Sequence, residues 1–411
     1  MGRLLVPATM VASLLAFAAA ALTVGRVPEH PTWWRAAVAL AVLGGVTPMI
    51  YAVNIRVIPV FGRRQWRSLN WLRAQVAMGI AGAWGVFFGR MAAERWLEVA
   101  GAVLALAGGV TFMVNIARLF RLPATGHSAP QPFPEQATID RLATRFTRLS
   151  GLYLLIGLGI GLLIAADLVE TARWDIVWAH AMLVGFFLSM ASGVCYHVLS
   201  RWTGRRWRSV APIRLHLIVV AIGLPVMLIA LATGSKGLFL IAGPLQAAAL
   251  ALFLATITPQ IVALPGWSRP TFLVAAACLA AGIALGAIFA IDPATGARLR
   301  QAHAELNLFG WTGFLISGVG YYLVPRFAGR PLRWPRLAGL QVLLLGVGVA
   351  LGVYALVDRA SGSDVTGWLL AAQAMVAAGF ALFAVIVAGT FSGRPGAQLI
   401  MAPARPAPRS A

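Results

Sequence analysis

Charge is scarce in this chain. Only 11% of its 411 residues are charged, against about 25% in a soluble globular protein. Acids are the scarcer sign, with 12 Asp and Glu beside 33 Lys and Arg. Cysteine is nearly absent. Cys195 and Cys278 both lie inside apolar runs, so there is no disulfide framework, and a thiolate zinc site is excluded by count. The chain also lacks a P-loop, a dinucleotide fingerprint, an HExxH and a GxSxG with triad partners. It lacks the two-residue alternation of an outer-membrane barrel as well.

What it has is apolar length. Hydrophobic residues make up 60% of the chain, and runs of eighteen or more recur throughout, each able to cross a bilayer core of about 30 Å. This predicts an all-α, polytopic membrane protein of about twelve transmembrane helices. We read spans at 4–24, 36–60, 71–90, 96–118, 148–169, 176–199, 211–233, 238–262, 270–291, 302–325, 337–357 and 367–391.

The net charge of +21 invites a nucleic-acid reading, but its distribution argues otherwise. Most arginines fall on the side that holds the connection between spans 2 and 3. They include Arg63, Arg64, Arg67, Arg141, Arg145, Arg205, Arg206, Arg208, Arg333 and Arg336. Of the twelve acids only Glu135 and Asp140 fall there. The basic bias predicts that this side is cytoplasmic, with both termini on it, in a bacterial inner membrane. The partner implied is the lipid bilayer, with anionic heads against the arginines, and not nucleic acid.

The first segment, "MGRLLVPATMVASLLAFAAAALTVG", has features of a signal peptide. A retained first span keeps the count even and is the reading taken. Residues 121–147 form the one long break. Prolines in the first half predict an irregular cytoplasmic linker, and "TIDRLATRFTRLS" starts a helix. The Pro/Ala/Arg-rich tail 394–411 is expected to be disordered and cytoplasmic.

An internal repeat is visible. Span 6 ends "YHVLSRWTGRRWR" from Tyr196, and span 10 ends "YYLVPRFAGRPLR" from Tyr321. Their heads match in kind, "HAMLVGFF" from His180 and "HAELNLFGW" from His303. Span 2, "YAVNIRVIPVFGRRQWR" from Tyr51, is a third copy without a histidine at its head. Spaced four apart, these spans suggest three repeats of four helices. The groups would cover 1–120 (spans 1–4), 148–264 (spans 5–8) and 265–393 (spans 9–12).

Six histidines are present. His30 and His127 lie in loops and are read as solvated. His180 and His303 sit near the acidic ends of equivalent spans. Helical steps from His303 reach Asn307, Gly310, Phe314, Ser317 and Tyr321. That stripe is small, polar or aromatic, and so turned toward other helices. The face of His180, with Val184, Phe187, Ala191 and Val194, is apolar. A neutral imidazole suits haem iron or copper, so His180 and His303 are candidate cofactor or metal ligands. Backbone hydrogen bonding of each ring is the competing reading. His197 and His216, at the end of span 6 and the start of span 7, are a second candidate metal pair, set against ordinary interfacial hydrogen bonding.

Tyr196, Tyr321 and Tyr322 fit an aromatic belt, and Arg201 and Arg326 fit snorkelling to lipid heads. Pro325 sits where it helps stop its helix. Gly44, Gly45, Gly108 and Gly109, in two "GGVT" strings, point to close helix packing.

"AHAELNLFGWTGFLISGVGYYLVPRFAGR" at 302–330 resembles the tenth helix of subunit I in the haem–copper oxidase superfamily, above all the cytochrome-c-dependent oxidases and nitric oxide reductases. "AHAMLVGFFLSMASGVCYHVLSRWTGR" at 179–205 resembles the same pattern more loosely. The NnrS proteins are a related resemblance. The superfamily implies haem and copper. Its tenth-helix pattern places a high-spin haem ligand at His303 and a low-spin haem ligand where this chain has Glu305. The helix of His180 supplies a copper ligand in the family. Span 2 has no histidine for the second haem, and span 7 lacks tandem histidines for copper. The resemblance therefore implies a reduced site, in which His303 and His180 bind one haem or one metal without a complete oxygen-reducing centre. The function implied is electron transfer or nitric oxide/oxygen metabolism, with a redox partner or small gas ligand. A cofactor-free transporter or assembly scaffold on the same fold is the alternative.

Overall fold

The computed structural model describes residues 4–125 and 131–393. His127 and the tail 394–411 lie outside the described residues. Twelve continuous helices follow one another, and no strand occurs among the described residues. They are α1 (Leu5–Gly25), α2 (Trp33–Gly62), α3 (Leu69–Ala92), α4 (Arg95–Phe120), α5 (Gln136–Ala165), α6 (Thr171–Thr203), α7 (Ala211–Thr233), α8 (Lys236–Ile261), α9 (Ser268–Ile291), α10 (Pro293–Ala328), α11 (Pro335–Arg359) and α12 (Thr366–Ser392). Eleven are long and apolar enough to cross a membrane. The remaining one, α3, carries Arg73, Gln75 and Arg90. This is an all-α, multi-pass membrane protein.

Apolar surface confirms the solvent. Leu215, Ile218, Ile222 and Ile229 lie exposed along α7, an apolar stripe suited to acyl chains. The inner helices are different. The apolar stretches of α2 and α10 are each 89% buried, which places these two deepest in the bundle. The first helix is packed in as well. Phe17 stacks on Phe380 of α12 with centroids 4.8 Å apart, and the Ser13 hydroxyl donates to the Gly45 carbonyl of α2.

Three helices contain a π-helical segment: Leu40–Val46 in α2, Ala181–Leu188 in α6 and Leu306–Thr312 in α10. A π turn takes in extra residues and is a recurrent mark of functional sites. These are the three helices that the sequence repeat picks out, and their second halves recur in structure too. Tyr51 packs on Phe112 of α4 at 4.7 Å, Tyr196 on Phe253 of α8 at 5.9 Å, and Tyr321 on Phe383 of α12 at 5.1 Å. A core tyrosine two helices away from its phenylalanine, three times over, is what three repeats of four helices predict. These tyrosines are buried inside the bundle, which differs from the interfacial belt expected of Tyr196 and Tyr321. The α6 and α10 helices also end alike, with Gly204 and Gly329 in the left-handed conformation that glycine adopts without a Cβ penalty.

The two "GGVT" strings pack as expected. A Cβ on Gly45 would strike the Phe17 ring, and one on Gly108 would press on the Gly79 backbone. The closest approach is between α3 and α4. There a Cβ on Gly82 would fall 2.4 Å from the Ala105 amide nitrogen, and one on Gly101 would fall 2.4 Å from that of Val86.

Candidate functional site

Three ring pairs connect α6 to α10 in the same order along both: His180–His303 at 6.4 Å, Phe187–Trp311 at 6.3 Å and Trp202–Tyr322 at 4.0 Å. The helices therefore run parallel, and the two candidate histidines meet. Their planes are within 19° of parallel. Each uses Nδ1 on a backbone carbonyl. His180 Nδ1 donates to Ile176 one turn earlier on α6, and His303 Nδ1 donates to Gly282 on α9, both at 2.8 Å. With the proton fixed on Nδ1, the lone pair of each neutral ring is on Nε2, the tautomer that a metal takes. The site is thus set by α9 as well, because a side chain at Gly282 would collide with Asn307, whose amide donates to the His303 carbonyl at 2.7 Å.

The helix of His303 begins well before its apolar run. α10 starts at Pro293, nine residues before the apolar span, capped by Asp292, which accepts from the amides of Ala294 and Thr295. The hydroxyl and amide of Thr295 hold the Asp292 carboxyl below its usual range. Asp-Pro at a helix start is a readable signal, but Arg298 and Arg300 hide the helix from an apolarity scan.

The single stripe projected from His303 to Tyr321 does not survive the π segment. His303 faces α6 and α9, whereas the Tyr321 hydroxyl donates to Gln341 of α11 at 2.7 Å and its ring packs on α12. The extra residues of Leu306–Thr312 break the 3.6-residue count, so the two halves of α10 show different faces to the same neighbours.

At the position where the tenth-helix pattern has a second histidine, Glu305 is 0% exposed. Its Oε1 accepts from Gln373 Nε2 of α12 at 2.9 Å, and Oε2 has no partner. A Cβ at Gly352 would touch both groups at 2.9 Å. This carboxyl is closed in between α11 and α12.

The other histidine pair is not drawn together. His197 Nδ1 is 2.9 Å from Asp140 Oδ1, and Arg201 binds the same carboxylate. The His197 ring stands edge-on to Phe61. His216 Nδ1 is 2.8 Å from the Tyr196 hydroxyl. Among the described residues no cluster of three or more His, Cys, Asp or Glu forms a metal cage. Arg201 is therefore tied to Asp140, and Arg326 lies over the Tyr322 ring at 3.4 Å.

Sequence reasoning missed one further network, next to His180. The Arg90 side chain is 6% exposed and pairs with Glu98 at 2.7 Å and Asp175 at 3.5 Å, while Arg35 also binds Asp175. Arg90 further lies over Trp178. Asp175 and Trp178 belong to the turns of α6 just before His180. The pairing joins residues of α2, α3, α4 and α6, and no local pattern announces it.

A cavity of about 80 Å³ lies where α1, α2, α6 and α10 meet, with Met10, Met49, Asn54, Met190 and Val319 among its walls. It is well short of the roughly 300–1,000 Å³ of ligand pockets, and it includes none of the histidines.

No protein-family profile and no curated protein matches this sequence. Solved structures do. The chain is similar to a haem–copper terminal oxidase determined by cryo-EM as a dimer, with a TM-score of 0.71 and 14% identity, over 98% of this chain and 86% of that one. The twelve-helix fold is therefore one this chain shares with that oxidase.

Proposed function

We propose that His180 and His303 hold a single metal centre between α6 and α10. A haem iron with both imidazoles as ligands is the preferred form and copper the alternative, and the protein serves electron transfer or nitric oxide/oxygen metabolism. The observation that carries the reading is the geometry of the pair. A metal–imidazole bond is about 2.0–2.1 Å, and the ring centre lies roughly 1.1 Å beyond the nitrogen. With those lengths, two imidazoles that shared one ion would have their centres at most about 6.4 Å apart, against 6.4 Å here. The fixed Nδ1 protons and near-parallel planes agree with it.

The chemistry such a centre supplies is one-electron exchange, or gas binding if one ligand leaves. What this chain contributes is orientation. The Gly282 carbonyl fixes the His303 tautomer, Asn307 steadies its helix, and the Arg90 network fixes the turns that carry His180. With Glu305 enclosed and no histidine on α2 opposite it, a complete oxygen-reducing centre is not part of the reading, and neither are His197 and His216. The basic bias of the loops supports a bacterial inner membrane with both termini in the cytoplasm. The cofactor-free scaffold or transporter is the second reading, favoured by the backbone hydrogen bond that each imidazole already makes.

A visible spectrum of the purified protein decides between them. A Soret band that is lost in both His180→Ala and His303→Ala supports the haem centre. Metal analysis showing one copper per chain, lost in the same variants, supports the alternative form. A colourless, metal-free protein from haem- and copper-replete cells overturns the proposal.

A further inference from the structure

Each π segment is fastened in the same way from inside its own helix. A hydroxyl at its end donates back over five residues: Thr47 to the Val42 carbonyl at 3.0 Å, Ser189 to Val184 at 3.4 Å and Thr312 to Asn307 at 2.8 Å. Other helical hydroxyls among the described residues bond back over four residues or three, as Thr111, Ser317 and Thr147 do. A five-residue reach is that of a π turn.

The fastening from outside differs. In the first two repeats the preceding helix supplies a serine. Ser13 of α1 donates to the Gly45 carbonyl of α2, and Ser150 of α5 donates to the Phe186 carbonyl of α6 at 2.7 Å. Both serines are 0% exposed. In the third repeat Gly310 corresponds to Phe186, because each carbonyl also accepts from the amide three residues on, that of Gly313 or Ser189. The side chain that α9 places beside it is Cys278. A Cβ on Gly310 would fall 2.9 Å from both Cβ and Sγ of this cysteine. A thiol is a weak donor, so the third segment has a weaker strap than the other two.

We propose that the π segment of α10 is the adjustable joint of the site, loosened by a thiol where the other repeats place a hydroxyl, and that His303 is the imidazole it moves. A wide turn that gives up one residue rotates what precedes it by about 100°. In α10 that part carries His303, whose ring is held by one hydrogen bond to Gly282 of α9. His180 stays in place, since Ser150 straps its segment and its ring bonds within its own helix. On the metal reading above, on which this step rests, a diatomic gas then enters by displacing His303. The loose joint itself does not depend on that reading.

The first test leaves the metal out. Full-length, metal-free protein in nanodiscs is followed by amide hydrogen exchange, which reads local opening. Residues 306–313 should exchange faster than 40–46 and 181–188. Cys278→Ser supplies the missing hydroxyl. It should slow exchange at 306–313 roughly three- to tenfold, the population change that one net hydrogen bond gives, and leave 40–46 unchanged. Ser150→Cys makes the reverse exchange and should speed 181–188 by a similar factor. Equal rates in the three segments, or no slowing in Cys278→Ser, overturn the inference. In haem-loaded protein, Cys278→Ser should slow carbon monoxide binding by the same factor, and an unchanged rate overturns the role given to His303. A protein that takes up no haem overturns the metal reading, while the exchange rates still decide the joint.

Discussion

Replacing Arg90 by alanine tests whether the ion network beside the site is structural. The guanidinium is 6% exposed and the carboxylates of Glu98 and Asp175 are each 17% exposed. Removing it leaves Glu98 without its cation and Asp175 with Arg35 alone. Breaking a buried pair by deleting one partner costs about 3–5 kcal/mol, since the survivor is left uncompensated. Some water reaches these acids, so the lower end, about 3 kcal/mol, is expected. The internal control is Arg95, whose pair with Asp167 at 3.2 Å is 58% and 65% exposed. Surface pairs of that kind are worth about 0–1 kcal/mol. Reversible unfolding in mixed micelles, followed by far-ultraviolet circular dichroism, gives both differences. Arg90→Ala/Glu98→Ala should recover part of the loss, because the stranded carboxylate goes with the arginine. Equal losses for Arg90→Ala and Arg95→Ala, or no recovery in the double variant, would refute the reasoning.

The same assay checks the first two of three further expectations. Gly82→Ala, which puts a methyl 2.4 Å from backbone, should cost about 1–3 kcal/mol or more, whereas Gly159→Ala, with open space around it, should be neutral or gain up to about 1 kcal/mol. Glu305→Ala should cost about 2–3 kcal/mol by leaving Gln373 buried without its acceptor. Gly282→Ala should displace Asn307 and perturb His303, so the loaded protein should show a shifted or weakened Soret band while its helix content holds.

Most of the fold is legible in the sequence because a bilayer imposes one rule, long apolar helices, that composition records directly. The boundaries escape where a helix outruns its apolar part, as α10 does over 293–301 and α5 over 136–147. Of the site, the meeting of His180 and His303 is legible because a repeat puts both on equivalent helices. The face of His303 is not, since the π segment defeats a fixed 3.6-residue count. Glu305 with Gln373, His197 with Asp140, and Arg90 with Asp175 join residues that are dozens of positions apart. Their partners follow from how the helices pack and leave no local trace.

The π segment of α2 has a consequence of its own. It is wound like its counterparts in α6 and α10, yet no imidazole stands at its head. The wide turn is therefore kept by the scaffold, independent of any ligand. Such a chassis can lose or acquire one coordinating side chain at a time without being rebuilt, which makes the vacant first bay the natural place to graft a new centre.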